Sequence, residues 1–168
     1  MERSHQEVYE LGTVDESQLC EVARLIGRML RGGEMIFLAG DLGSGKTRFV
    51  KCIAGAMGIE ESQVRSPSFT IVNVYPGHPL TLFHADLFRL HNKEEVWETG
   101  LMELLDERSV LAIEWPELVM NDSREKATIT VELGFVTFSH RSVRITTSDE
   151  LSDMRESLYR YLERFSGG

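Results

Sequence analysis

The chain has 168 residues, enough for one domain to bury a core without disulfide or metal staples. Hydrophobic residues at 42% and charged residues at 27% match the globular balance and exclude a largely disordered chain. A net charge of −9, from 27 acidic against 18 basic side chains, argues against a protein that grips nucleic acid by itself. Any nucleic acid in its biology is expected on a partner.

In chain order, His5 to Leu11 reads as a first strand. Asp15 opens a helix, with Gln18 placed for a capping box. Leu19, Val22, Ala23, Ile26, Met29 and Leu30 recur at helical spacing, and Gly32-Gly33 ends the helix. Met35 to Ala39 is a continuous apolar run, the pattern of a strand buried on both faces. A glycine-rich turn follows, then a helix from Lys46 to about Met57. Thr70 to Tyr75 and Leu80 to Leu87 read as strands joined by Pro76-Gly77-His78-Pro79. Asn92 to Leu105 reads as helical with an interruption near Gly100, and Trp97 and Met102 within it as core or interface residues. Val110 to Ile113 is a second buried run, stopped by Pro116. Ala127 to Leu133 and Ser142 to Thr146 alternate in the strand manner. Leu151, Met154, Leu158, Leu162 and Phe165 stripe a terminal helix.

Cys20 and Cys52 form no C-x-x-C, and both fall on predicted helices. They read as separate, buried thiols of a reducing compartment. The first residues show no apolar stretch like a signal peptide, and no run approaches the ~18 apolar residues of a membrane span. A soluble cytoplasmic protein is expected.

Gly40-Asp41-Leu42-Gly43-Ser44-Gly45-Lys46-Thr47 matches G-x-x-x-x-G-K-[ST] in full. Glycines let consecutive N–H groups turn inward as a nest for phosphate oxygens, and the next helix aims its N-terminal donors at the same anion. Lys46 brings a charge to the β- and γ-phosphates, and the Thr47 hydroxyl suits Mg²⁺. The expected fold is therefore α/β: a P-loop NTPase-like three-layer sandwich around a central mixed, partly parallel sheet. One domain is expected over residues 1–168, its last few residues disordered.

Two further segments complete such a site. A buried strand ends in Ile113-Glu114-Trp115-Pro116-Glu117, with glutamate where the usual second motif has aspartate; Glu114 suits a metal ligand or a group orienting water. In His84-Ala85-Asp86-Leu87-Phe88-Arg89, strand alternation puts His84 and Asp86 on one face. Asp86 reads either as a metal ligand or as half of a cross-strand polar pair, and Arg89 as a partner for a carboxylate or phosphate. Arg65-Ser66-Pro67-Ser68-Phe69-Thr70 reads equally as a γ-phosphate-sensing switch or an ordinary Ser/Pro turn.

Together, the glycine loop, Ser66 to Thr70, His84 to Arg89 and Ile113 to Glu117 resemble the TsaE family of bacteria, also called YjeE. Their order and spacing agree from the first helix to Glu117, about two-thirds of the chain. Ser68 stands where the family usually has threonine and keeps a hydroxyl; Phe88 stands where it often has tyrosine and loses one. The resemblance implies an ATPase of N6-threonylcarbamoyladenosine formation, next to the anticodon of tRNAs that read codons beginning with A. It implies ATP and Mg²⁺ as ligands and a TsaB–TsaD heterodimer as partner, with tRNA met only through that complex. In the family TsaD transfers the threonylcarbamoyl group from an adenylate made by TsaC, and ATP hydrolysis drives repeated turnover. Carried onto matching positions, Lys46, Asp86 and Glu114 are catalytic, Thr47, Asp86 and Glu114 surround Mg²⁺, and Trp115 buttresses Glu114. The turn Thr13-Val14 would pack adenine, and Arg141 would contact nucleotide.

Two alternatives share the loop. A small-molecule or nucleotide kinase would need an arginine-bearing lid, and no such segment stands out. A regulatory GTPase would need D-x-x-G, which the chain lacks, and Asn92-Lys93-Glu94-Glu95 has glutamate in the base-reading place of N-K-x-D. With no evident arginine finger, slow hydrolysis by the isolated protein is expected, rising with TsaB–TsaD.

Overall fold

A computed structural model describes residues 6–122 and 126–166; His5, Gly167 and Gly168 lie outside them, as does the side chain of Phe165. The first strand, β1 (Glu7–Asp15), runs directly into α1 (Glu16–Met29). Thr13 and Val14 are therefore strand residues, and the expected turn before the helix is absent. Asp15 caps α1 as its sequence predicts: its carboxylate accepts from Gln18 N at 2.8 Å, and the Gln18 side chain accepts from Asp15 N at 2.9 Å.

β2 (Met35–Ala39) leads through the glycine loop into α2 (Lys46–Ala56). β3 (Val72–Tyr75) and β4 (Thr81–Asp86) form the predicted pair, but β3 starts two residues late. The delay has a local cause. Ile71 N donates to Pro67 O at 2.8 Å, closing a turn, and Ile71 itself sits at φ 68°, outside extended geometry. α3 (Lys93–Glu98) is capped by Asn92 and ends well short of Leu105, because Gly100 adopts a left-handed φ of 71° before a 3-10 turn over Leu101–Glu103. β5 (Ser109–Glu114), β6 (Thr128–Phe135), β7 (His140–Thr147) and α4 (Ser152–Ser166) complete the chain.

The seven strands form one sheet in the order β1-β7-β6-β2-β5-β4-β3. β2 runs parallel to β5 and β6, and β4 runs parallel to β5; the remaining pairs are antiparallel. This is the expected mixed, three-layer α/β arrangement. Along β2, Ile36 and Leu38 face a core closed by α1, α2 and α4, whereas Met35 and Phe37 face a second core with Val96, Leu101 and Val119. A strand covered on both faces needs apolar residues at every position, which accounts for its unbroken run.

A further expectation is overturned at the cysteines. Cys20 and Cys52 are joined in a disulfide rather than standing as separate thiols. α1 packs so closely on α2 that a β-carbon on Gly27 would lie 2.9 Å from Ile53 O, and this contact brings the two cysteine Cα atoms to 5.4 Å. Of the two residues read as core or interface, Met102 packs against the second core, whereas Trp97 is 64% exposed on α3. Among the described residues no helix is long and apolar enough to cross a membrane.

Candidate functional site

Parallel β2, β4 and β5 open their C-terminal ends on one edge of the sheet, the side where α/β folds receive ligands. Register places Leu38 of β2 and Asp86 of β4 on either side of Glu114 in β5. Glu114 thus stands between the glycine loop and the second carboxylate, and both carboxylates are buried.

The loop is shaped by close approach. A β-carbon on Gly40, at φ 151°, would lie 2.4 Å from Leu133 O and 2.5 Å from Ser44 Oγ, so no larger residue fits. Gly45, at φ 104°, turns the chain into α2, whose first residue is Lys46. Lys46 Nζ donates to Gly40 O, and to Asp41 O at 3.0 Å, while lying 3.9 Å from the centroid of the Trp115 ring. Burial lowers its pKa, opposed chiefly by the Glu114 carboxylate.

Thr47 Oγ1 donates to Glu114 at 3.0 Å and 3.1 Å from its two oxygens, and His84 Nε2 lies 2.6 Å from Glu114 Oε2. Asp86 Oδ1 accepts from Phe88 N at 2.9 Å. Burial pushes the Asp86 carboxyl above its usual range; the Phe88 N–H works against that shift, and neighbouring Glu114 adds to it. Two buried carboxylates side by side make a setting that a cation would stabilise. Trp115 is held at φ 56°, strained for a bulky residue, by Trp115 N donating to Leu38 O at 3.3 Å, and its ring meets Phe88 at 4.9 Å.

Lys46, Thr47, Asp86, Phe88, Glu114 and Trp115 border a cleft of about 460 Å³. Ser66 and Ser68 line it too, so the Ser-Pro segment shares this cleft with the glycine loop. Phe69, largely exposed, lies under the Arg89 guanidinium at 4.3 Å, and Arg89 also lines the cleft.

The two remaining predicted positions fall elsewhere. Val14 is buried in the first core, opposite Arg141 in register. Arg141 grips the loop from outside: Nε donates to Ser44 O at 3.0 Å, Nη2 to Gly43 O at 3.1 Å and Nη1 to His140 O at 2.9 Å. It also borders a smaller cleft of about 170 Å³ with Leu19, Gly45, Arg48 and Phe138. Sequence reasoning missed Arg48 and Phe138; a phenylalanine 97% exposed in the short β6–β7 hairpin is the signal that would have found the latter. It also missed the bond between His84 and Glu114, which depends on the pairing of β4 with β5.

A buried strand, a glycine loop closed by lysine on a helix start, and a carboxylate on the adjacent parallel strand define an α/β protein of the P-loop class. Comparison with known proteins narrows this. The sequence model of the family described as "Threonylcarbamoyl adenosine biosynthesis protein TsaE" matches residues 13–143. The chain is 36% identical over 143 residues to the tRNA threonylcarbamoyladenosine biosynthesis protein TsaE of Treponema pallidum, covering 85% of this chain and 96% of that one. It is 38% identical over 132 residues to the protein of the same name from Aquifex aeolicus, covering 77% and 90%. A crystal structure of YdiB from Bacillus subtilis superposes with a TM-score of 0.70 at 24% identity, covering 96% of this chain and 99% of that one, and shares its fold. The chain belongs to the TsaE family of threonylcarbamoyladenosine biosynthesis.

Proposed function

We propose that this protein binds Mg–ATP in the loop Gly40 to Thr47 and hydrolyses it to drive threonylcarbamoylation of tRNA by a TsaB–TsaD complex. The observation that carries the reading is the Thr47 hydroxyl donating to Glu114 beside Lys46 and Asp86. A hydroxyl whose proton is given to a carboxylate keeps its lone pairs for a cation.

The donor set fits Mg²⁺: one hydroxyl and two carboxylates, all hard oxygen ligands, from Thr47, Asp86 and Glu114. Bound there, Mg²⁺ would offset phosphate charge. The chain's own residues supply the rest. Loop N–H groups and the start of α2 hold phosphate oxygens, and Lys46 turns from its carbonyl partners to them. Glu114, anchored by Thr47 and His84, orients the attacking water. The smaller cleft, with Phe138 beside Gly45, offers a stacking surface for the base.

Lys46→Ala tests the reading. Wild-type protein is expected to bind ATP in the presence of Mg²⁺ and release ADP and phosphate slowly, and the variant to lose both while keeping its fold by circular dichroism. Equal binding by the two proteins would refute it. Transfer of phosphate to an added acceptor would favour a kinase instead.

A further inference from the structure

His84 occupies β4 opposite Ala112 of β5 and is fully buried. Its Nε2 lies 2.6 Å from Glu114 Oε2, whereas Nδ1 has no hydrogen-bond partner among the described residues. A carboxylate only accepts, so Nε2 carries the proton. As packing alone this is a poor choice. Leu82, two residues earlier on the same face, fills its place with carbon, whereas an imidazole with one unpaired nitrogen carries a desolvation cost. What the ring adds over an apolar side chain is one short bond to Glu114.

We propose that His84 is a positioning residue of this site, acting through Glu114; the inference rests on the Mg–ATP reading above. Glutamate has three rotatable side-chain bonds, and holding its carboxylate in one orientation costs conformational entropy. Nε2–H of His84 fixes Oε2 from below, within the sheet, and Thr47 approaches from the loop. The carboxylate is thereby held ready before any ligand arrives. Removing an outer partner of this kind lowers metal affinity or activity by roughly 10–100-fold in comparable sites.

Geometry selects the variants. A glutamine amide nitrogen reaches about as far as histidine Nε2, whereas an asparagine amide stops near the position of Nδ1. Trp97→Phe leaves Trp115, the only other tryptophan in the chain, as the reporter beside Lys46. In that background Trp115 fluorescence at fixed ADP is titrated with Mg²⁺ for the full-length protein and its His84→Gln and His84→Asn variants. Urea midpoints are measured alongside. His84→Gln should stay near the unmodified protein, and His84→Asn should need about tenfold more Mg²⁺ or above. With Glu114→Ala added, which removes the acceptor, His84→Asn should have no further effect, because its route is gone. Two variants that shift the Mg²⁺ midpoint equally, or a His84→Asn effect that persists with Glu114→Ala, would overturn the inference. A protein with intact His84 and Glu114 that fails to respond to Mg–ADP would overturn the Mg–ATP reading itself, and this inference with it.

Discussion

At Gly40 two separate demands meet: a φ of 151° and a space too small for a β-carbon, with Leu133 O and Ser44 Oγ on its far side. Gly43 shares the unusual backbone, at φ 77°, but has nothing within 4 Å of its would-be β-carbon. The difference makes a controlled pair. Gly43→Ala carries only the conformational cost, about 1–2 kcal/mol. Gly40→Ala adds overpacking, typically a further 1–3 kcal/mol or so, and also displaces Ser44 in the centre of the loop. Urea denaturation should rank Gly40→Ala well below Gly43→Ala, with ATP binding lost more fully in the former. Equal midpoints would show that the loop relaxes freely around Gly40. Trp115 carries strain of the same kind at φ 56°, and its ring lies beneath Lys46 and against Phe88. Such strain is typical of residues whose placement matters more than their own stability.

Among the elements, the contact of α1 with α2 decides where the loop lysine sits, since Lys46 and Thr47 are the first residues of α2. Gly27 permits that contact: its missing β-carbon would lie 2.8 Å from Ala56 Cβ and 2.9 Å from Ile53 O. Alanine is the better helix former by about 1 kcal/mol, so propensity alone predicts that Gly27→Ala stabilises. Packing opposes it, at roughly 1–3 kcal/mol for overfilling, and should win because one neighbour is backbone. A lowered urea midpoint is therefore expected, and a raised one would mean the helices separate without cost. Much of this layer was legible in the sequence. The capping of α1 by Asp15 and Gln18, the unbroken run of β2 and the Gly100 interruption are local signals, and all appear where predicted. What was not legible depended on pairing between distant segments. Cys20 and Cys52 are 32 residues apart, and only helix docking joins them. His84 meets Glu114 through strand register, which spacing does not encode. Thr13-Val14 resembled a turn because helix α1 starts just after it, yet its pairing with Arg141 and Ser142 keeps it in a strand.

For the whole molecule, the site's residues come from three parallel strands and one helix start, but a single edge of the sheet collects them. Ser66, Ser68 and Arg89 line the same cleft, and Phe69, packed under Arg89, is largely exposed. A net charge of −9 disfavours a direct grip on tRNA phosphates, and the proposed function accordingly leaves the tRNA to a partner. Turnover should accordingly depend on the partner: phosphate release is expected to rise when TsaB–TsaD is added, and to stay flat with Lys46→Ala. The central claim is that ATP turnover in this site drives repeated cycles of tRNA modification. Its most direct test is the amount of threonylcarbamoyladenosine formed per TsaD, with TsaB–TsaD, tRNA, the TsaC product and ATP supplied together. Wild-type protein should carry TsaD through many cycles, whereas Lys46→Ala should leave it near a single turnover; equal yields from the two would contradict the account.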